Sequence, residues 1–373
     1  MNILFIETSI DPNLGGIERV SYTIAKELEK NGHSCFFAYF FHDYVAIPET
    51  KKVRLTLTDE KIFNVTLISF IRENKIDVVI NQDLYNKSIL RFYLLYKDKL
   101  GFKLINCFHL SPNFYEYVKI SGIKVKLKYY IYRCIYGENW FVRERRKMYD
   151  ICDKFVLLSE SFLEDFALHY HLEDRKKLVA IPNPLPFDEN QYDAMSQKQK
   201  IVLIVCRLFE TQKNIKTSLR IWKNIQRKGF HDWKLEIVGS GQDENMLKDY
   251  AQKIGLTNYE FKGNSNNVEE YYKKSSVFMM TSNYEGFGMT ILEAQHFGCV
   301  PIVIDNFSVV HDLIKNGENG YIVQTEDDFV QKLAATLHNA FQRKAMADKC
   351  ILFSSFYKAN VIINKWNRLL DMI

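Results

Sequence analysis

Glu285 and Glu293 stand eight residues apart in the run Glu285-Gly-Phe-Gly-Met-Thr-Ile-Leu-Glu293. The glycines after Glu285 read as a turn, and residues 288–297 carry a helical pattern behind a short apolar strand pattern at 276–281. One carboxylate therefore belongs to a loop at a strand end, and the other lies one to two turns into the following helix. In an open α/β sheet, ligands bind beyond the carboxyl ends of the strands, and helix N-termini attract phosphate. Both acids and the first N–H groups of the helix would then face one crevice, suited to a ligand with a phosphate and several hydroxyls. The spacing fits equally an exposed loop acid plus a second Glu favoured near a helix start by its dipole.

Other residues could act on the same ligand. Arg207 directly follows the strand pattern 201–206, and Lys213 comes six residues later, just before a helix. At a strand end the two cations would clamp a diphosphate and stabilise the charge that develops on it as a leaving group. Ordinary surface charge is the alternative. Gly15-Gly16 lies between the first strand and first helix, and Gly239-Ser-Gly241 follows the strand 235–238. Glycine lets backbone N–H groups approach a phosphate closely. Neither pair completes a dinucleotide fingerprint or a P-loop, and a tight turn explains Gly239 and Gly241 equally well. His109 ends the strand pattern 103–108 and would project from that strand terminus. No two aspartates are two residues apart, so no D-x-D triplet is available to hold a divalent metal on a diphosphate. Cationic side chains and helix N-termini would have to do that work, and no metal site is expected.

These residues need a scaffold of alternating elements, and the sequence carries that pattern. The first third reads as strand 3–7, helix 17–31 with Ile17, Val20, Ile24 and Leu28 on one face and Gly32 as its stop, then strand 35–40. Further strands read at 76–80, 103–108 and 155–159. A βα repeat means a largely parallel sheet with crossover helices, an α/β fold. The pattern breaks at Pro182-Asn-Pro184-Leu-Pro186, where three of the seven prolines fall within five residues, and a polar stretch follows at 188–200. That break sets a domain boundary between 1–186 and 187–356. A second series begins at 201–206, with helix 215–228, strand 235–238, helix 245–254, strand 260–262, helix 268–274, strand 277–281, the helix ending at 297, and strand 300–304.

Composition narrows the class. A chain of 373 residues is long enough to bury two cores. With 47% hydrophobic and 25% charged residues it reads as an ordinary globular protein. The formal net charge of +5 is too small to imply a nucleic-acid binder. Seven cysteines are scattered without a C-x-x-C pair, which points to reduced core thiols of a cytoplasmic protein and away from disulfides or zinc. Residues 1–7 enter a strand pattern without a basic leader, so no signal peptide is expected. No apolar run approaches the roughly 20 residues of a spanning helix.

Charge is unevenly placed. Residues 1–186 hold 27 Lys/Arg against 23 Asp/Glu, and residues 187–373 hold 23 against 22. The segment 114–149 is basic and aromatic, with nine Lys/Arg between Lys119 and Lys147 against Glu138 and Glu144. Such a composition suits docking on an anionic membrane surface, at the inner face of the cell membrane. A solvated helix packed by its apolar seam, or a strand through the alternation at 123–128, fits as well.

Gly15-Gly16, the Arg207/Lys213 pair and the Glu285-x7-Glu293 segment occur in the order found in glycosyltransferase family 4, and this chain resembles that family over nearly its whole length. Pro182-Asn183 and Gly317 with Asn319-Gly320-Tyr-Ile-Val are supporting punctuation. The resemblance implies a GT-B fold, in which two Rossmann-like domains face a central cleft, and a C-terminal helix, about 357–373, that crosses back to the first domain. It also implies retention of anomeric configuration without a metal or other cofactor. Glu285 would contact the donor sugar and stabilise an oxocarbenium-like transition state, while Glu293 would hold the ribose hydroxyls. Arg207 and Lys213 would bind the diphosphate, helped by backbone N–H groups of Gly16, with Gly15 beside it, and of the turn Phe287, Gly288, Met289 and Thr290. The base would lie near Gly263, and His109 matches a family histidine near the donor sugar. The chain departs from the family at Asp305-Asn-Phe-Ser-Val-Val-His311-Asp312, where many members carry a glycine-rich turn and a Glu, and Gly241 is not followed by the frequent proline.

The expected activity is a hexosyltransferase that uses a nucleotide diphosphate sugar, UDP-linked, on a glycan or lipid-linked saccharide acceptor in cell-surface polysaccharide biosynthesis. A sugar-nucleotide epimerase or a phosphorylase could use the same architecture, and a non-catalytic nucleotide-binding adaptor is the alternative from another class.

Overall fold

The computed structural model describes residues 1–84, 86–112, 139–187 and 198–373. The chain divides into two compact units, Met1–Pro186 with Lys358–Ile373, and Phe187–Tyr357. Each is an α/β unit around a wholly parallel sheet.

The first unit holds β1 (Asn2–Glu7), β2 (Ser34–Tyr39), β3 (Lys52–Arg54), β4 (Val78–Asn81), β5 (Lys103–Phe108), β6 (Lys154–Leu157) and β7 (Leu178–Ala180). Their spatial order is β3-β2-β1-β4-β5-β6-β7. β1 is buried from Ile3 to Glu7 and β4 along its whole length. Such continuous burial is expected of parallel strands covered on both faces. The helix Gly16–Lys30 packs on this sheet through Val20, Ile24, Ala25 and Leu28. Ile17 departs from the expected stripe and is 39% exposed. Spacing alone places it on the apolar face, but burial begins only one turn later, with Val20. The helix Ala359–Asp371 joins the same core through Ile362, Ile363, Trp366, Leu369 and Leu370.

The second unit holds β8 (Gln199–Val205), β9 (Lys234–Val238), β10 (Tyr259–Gly263), β11 (Ser275–Met280), β12 (Val300–Ile304) and β13 (Tyr321–Val323), in the order β10-β9-β8-β11-β12-β13. The strand order reverses between β8 and β11, the kind of switch point at which open α/β sheets bind ligands. Its core gathers Val202, Ile204, Leu235, Ile237, Val277, Met279 and Ile302 beneath the helix Ile215–Arg227, which contributes Leu219, Trp222 and Ile225.

The cysteines outside 113–138 are unpaired, and Cys35, Cys107, Cys152, Cys299 and Cys350 are buried. Among the described residues, no helix is long and apolar enough to cross a membrane.

Candidate functional site

The second unit builds its polar cluster from the loops after β8 and β11. A four-residue helix, Glu210–Lys213, ends at Asn214, whose left-handed backbone (φ 49°) turns the chain into the helix Ile215–Arg227. Asparagine tolerates that conformation better than most residues. The short helix is then stitched to the end of β11. Thr281 Oγ1 donates to the Asn214 carbonyl at 2.9 Å, Asn283 N to the Gln212 carbonyl at 2.8 Å, and Asn283 Nδ2 to the Thr211 carbonyl at 3.0 Å. These bonds bring Lys213 Nζ to 2.7 Å from Glu285 Oε1. Their side chains are 15% and 9% exposed, so the pair is largely removed from water and holds both groups at a fixed place.

Arg207 is exposed at the end of β8, and no ion pair or side-chain hydrogen bond is seen for its guanidinium among the described residues. Its backbone is nevertheless tightly set. Cys206 N donates to the Val238 carbonyl at 3.1 Å and Leu208 N to the Ser240 carbonyl at 2.9 Å. Gly239 and Gly241 permit this approach: a Cβ at Gly239 (φ +129°) would stand 1.9 Å from the Cys206 carbonyl oxygen, and one at Gly241 would stand 2.3 Å from that of Leu208. Of the two readings of this Gly-x-Gly, close loop packing is the one the geometry requires. Gly263 (φ +70°) ends β10, and its carbonyl accepts from Gly239 N at 2.8 Å.

The helix Met289–His296 starts from Gly288 (φ +83°), and no side chain caps it. The first N–H groups of such a helix have no intrahelical acceptor, and its dipole favours an anion there. Met289 and Thr290 form the half-buried first turn and Phe287 is buried just ahead. Glu293 has a different partner: its Oε2 accepts from the Tyr272 hydroxyl at 2.8 Å. The two acids are therefore held by different partners, Glu285 by a cation and Glu293 by a phenol.

Gly15, Gly16 and His109 belong to the first unit, at the carboxyl end of its sheet. Gly15 is extended, Gly16 opens the helix Gly16–Lys30, and no side chain caps that helix. A Cβ at Gly16 would meet nothing within 4 Å, so packing does not demand glycine there. His109 follows β5, and its Nε2 bonds the Gln82 amide oxygen. An amide oxygen only accepts, so Nε2 carries the proton and Nδ1 the lone pair. That Nδ1 is buried and has no hydrogen-bond partner among the described residues. Burial pushes the imidazole pKa down to about 4, so the ring is neutral at physiological pH.

Three polar residues escaped the sequence reading. Glu7 is buried at the end of β1, and burial first holds its pKa well above the usual carboxylate value, with a side-chain hydrogen bond from Ser21 working against that rise and Glu18 adding to it. Gln82 fixes the His109 tautomer. Tyr272 holds Glu293. Glu7 ends the otherwise apolar run Ile3-Leu-Phe-Ile6, which is a readable signal, whereas Tyr272 sits among other tyrosines and lysines with nothing to mark it.

Of the segment 114–149, residues 114–138 lie outside the described residues. The helix Asn139–Ile151 is described, and there Arg145 is 4% exposed and donates from Nη1 to the Leu84 carbonyl at 2.5 Å. Arg145 is thus a buried structural cation and is not part of a basic surface.

Comparison with known proteins places this geometry. The profile of Glycosyltransferase Family 4 matches residues 14–189, and that of Glycosyl transferases group 1 matches residues 188–351. An uncharacterized glycosyltransferase of Haemophilus influenzae is 29% identical over 95% of this chain and 96% of its own. The amylovoran biosynthesis glycosyltransferase AmsD of Erwinia amylovora is 26% identical over 96% and 97%. The crystal structure of HepE of Anabaena in complex with UDP superposes with a TM-score of 0.77 over 100% of both chains at 14% identity. Two profiles joined end to end and relatives of matching length leave one conclusion: the chain belongs to the family 4-like glycosyltransferases of GT-B fold and is an enzyme of that class.

Proposed function

We propose that this enzyme moves a hexose from a UDP-linked sugar to a glycan or lipid-linked saccharide, with retention at the anomeric carbon and without a metal, in the synthesis of a cell-surface polysaccharide. The observation that carries the reading is the 2.7 Å pair of Lys213 and Glu285 beside the uncapped start of the helix Met289–His296. A cation, a carboxylate and unpaired backbone N–H groups are what a leaving diphosphate and an electron-poor sugar ring require together. AmsD is named for amylovoran biosynthesis and HepE was crystallised with UDP, which supports the donor and pathway class.

In this reading Lys213 and Arg207 take up the charge that develops as the bond between the anomeric carbon and the diphosphate oxygen breaks. Met289 and Thr290 N–H groups and Gly16 add donors. Glu285 faces the sugar and stabilises its positive character, Glu293 grips the ribose, and Gly263 adjoins the base. The acceptor oxygen forms its bond to the anomeric carbon on the face the diphosphate leaves, and its proton passes to the departing phosphate. His109, neutral and with an open Nδ1, accepts a hydroxyl of the donor sugar. The reading includes a cytoplasmic enzyme that docks on the anionic inner face of the membrane through the basic segment 114–149, apart from the buried Arg145.

A thermal-shift screen of UDP-, GDP- and ADP-sugars tests the donor, since a ligand present at 100 times its Kd stabilises the fold by about 2.7 kcal/mol. The matched donor is then given saccharide acceptors with excess EDTA, and the product's anomeric configuration is read by NMR. Selective stabilisation by a GDP- or ADP-sugar, an inverted product, or transfer abolished by EDTA would each overturn the corresponding part.

A further inference from the structure

We propose that Tyr272 is a positioning residue for the nucleotide: its hydroxyl presets the Glu293 carboxylate for the ribose of the donor. The inference rests on the reading of Glu293 as the ribose-binding acid.

Tyr272 is fixed on every side that matters. It lies in the helix Val268–Lys274 and is 0% exposed. Its ring stacks on Phe297, with centroids 6.0 Å apart and planes 7° from parallel. Its carbonyl accepts from Lys198 Nζ at 2.9 Å and from Cys299 Sγ at 3.0 Å. A phenol held this way has little rotamer freedom, and its hydroxyl donates to Glu293 Oε2 at 2.8 Å. Glu293 is itself only 6% exposed, on a different helix. A carboxylate offers about four lone-pair sites, so the bond from Tyr272 orients the group while engaging one of them. Preset acceptors of this kind bind more tightly because the ordering is done before the ligand arrives.

A purely structural hydroxyl would satisfy itself on Glu293 with no effect on ribose recognition, and the experiment separates the two. Dissociation constants of UDP and of 2′,3′-dideoxyuridine diphosphate are measured by calorimetry for the wild type, Y272F and E293Q, alongside donor KM and kcat for Y272F. Phenylalanine keeps the ring and its stacking. The expected result is that Y272F weakens UDP about tenfold, the scale of one hydrogen bond to a charged group. The dideoxy nucleotide binds as before, and donor KM rises far more than kcat falls. If Y272F weakens both nucleotides equally, or neither, while E293Q abolishes the preference for ribose hydroxyls, Tyr272 is structural and the proposal falls alone. If E293Q retains that preference, the ribose reading of Glu293 falls and takes the proposal with it.

Discussion

In the second unit Lys213 and Glu285 meet at 2.7 Å and Glu293 takes the Tyr272 hydroxyl, whereas in the first unit Glu7 is a buried carboxyl of raised pKa and His109 Nδ1 is buried with no hydrogen-bond partner among the described residues. Lys213, Glu285, Glu7 and His109 stand at or after the carboxyl ends of parallel strands, whereas Tyr272 reaches Glu293 from the helix that precedes β11. Paired groups keep their geometry without a ligand, and a ligand must exchange its own contacts for theirs. Unpartnered buried groups carry a standing cost of desolvation, on the order of 1–3 kcal/mol each, which a bound hydroxyl can relieve. Geometry is thus stored as paired groups in one unit and as an open imidazole nitrogen in the other.

The largest effect is expected where pairing and chemistry coincide. Glu285→Ala and Lys213→Ala should each lower turnover about 10³-fold, the scale of one lost electrostatic stabiliser in a transition state. Circular dichroism should stay native, and near-normal transfer by both variants would remove the pair from the site. Gly239→Ala comes next, because its Cβ would collide with the Cys206 carbonyl. A loss of about 3 kcal/mol, read as a lower urea midpoint, is expected from forcing a side chain against backbone at positive φ. An unchanged midpoint would mean that the loop holding Arg207 is not built on that approach.

The first unit should respond more gently. Gln82→Leu frees the His109 tautomer and should cost about tenfold in kcat/KM, the value of one oriented hydrogen bond. ¹⁵N shifts of the imidazole should then show mixed tautomers, while a ring still protonated only on Nε2 would contradict the assigned role of Gln82. Smallest is Glu7→Gln. The folded pKa of Glu7 is raised above 4.5, so the unfolded chain ionises first, and Glu7 costs stability as pH rises past that value toward the folded pKa. The variant should therefore melt higher than wild type at pH 7 and lose that advantage near pH 4. His109 has the opposite sign: its pKa of about 4 lies below the ordinary 6.5, so stability is lost as pH falls between those values.

Much of the α/β fold was legible because buried parallel strands are short continuous apolar runs, and Ile3-Leu-Phe-Ile6 or Val277-Phe-Met-Met280 can hardly be anything else. The three-residue strands β3, β7 and β13 were not, since three residues carry no period to read. Ile17 was misplaced because a helical stripe does not reveal which of its turns lie over the sheet. At the site, the loop and helix positions of Glu285 and Glu293 followed from glycine and apolar spacing. Their partners did not, because Lys213 and Tyr272 are brought in from 72 and 21 residues away by folding. The requirement for Gly239 was equally hidden, since the atom it must avoid belongs to Cys206 in another loop.

The helix Ala359–Asp371 completes the core of the first unit, although all of Phe187–Tyr357 is made before it. On a ribosome adding about 5–20 residues per second, the first unit would wait on the order of ten to thirty seconds for that helix. During that interval Val20, Ile24 and Leu28 lack part of their cover, so the second unit would be the first to finish folding, and the nascent first unit would be the client that chaperones meet.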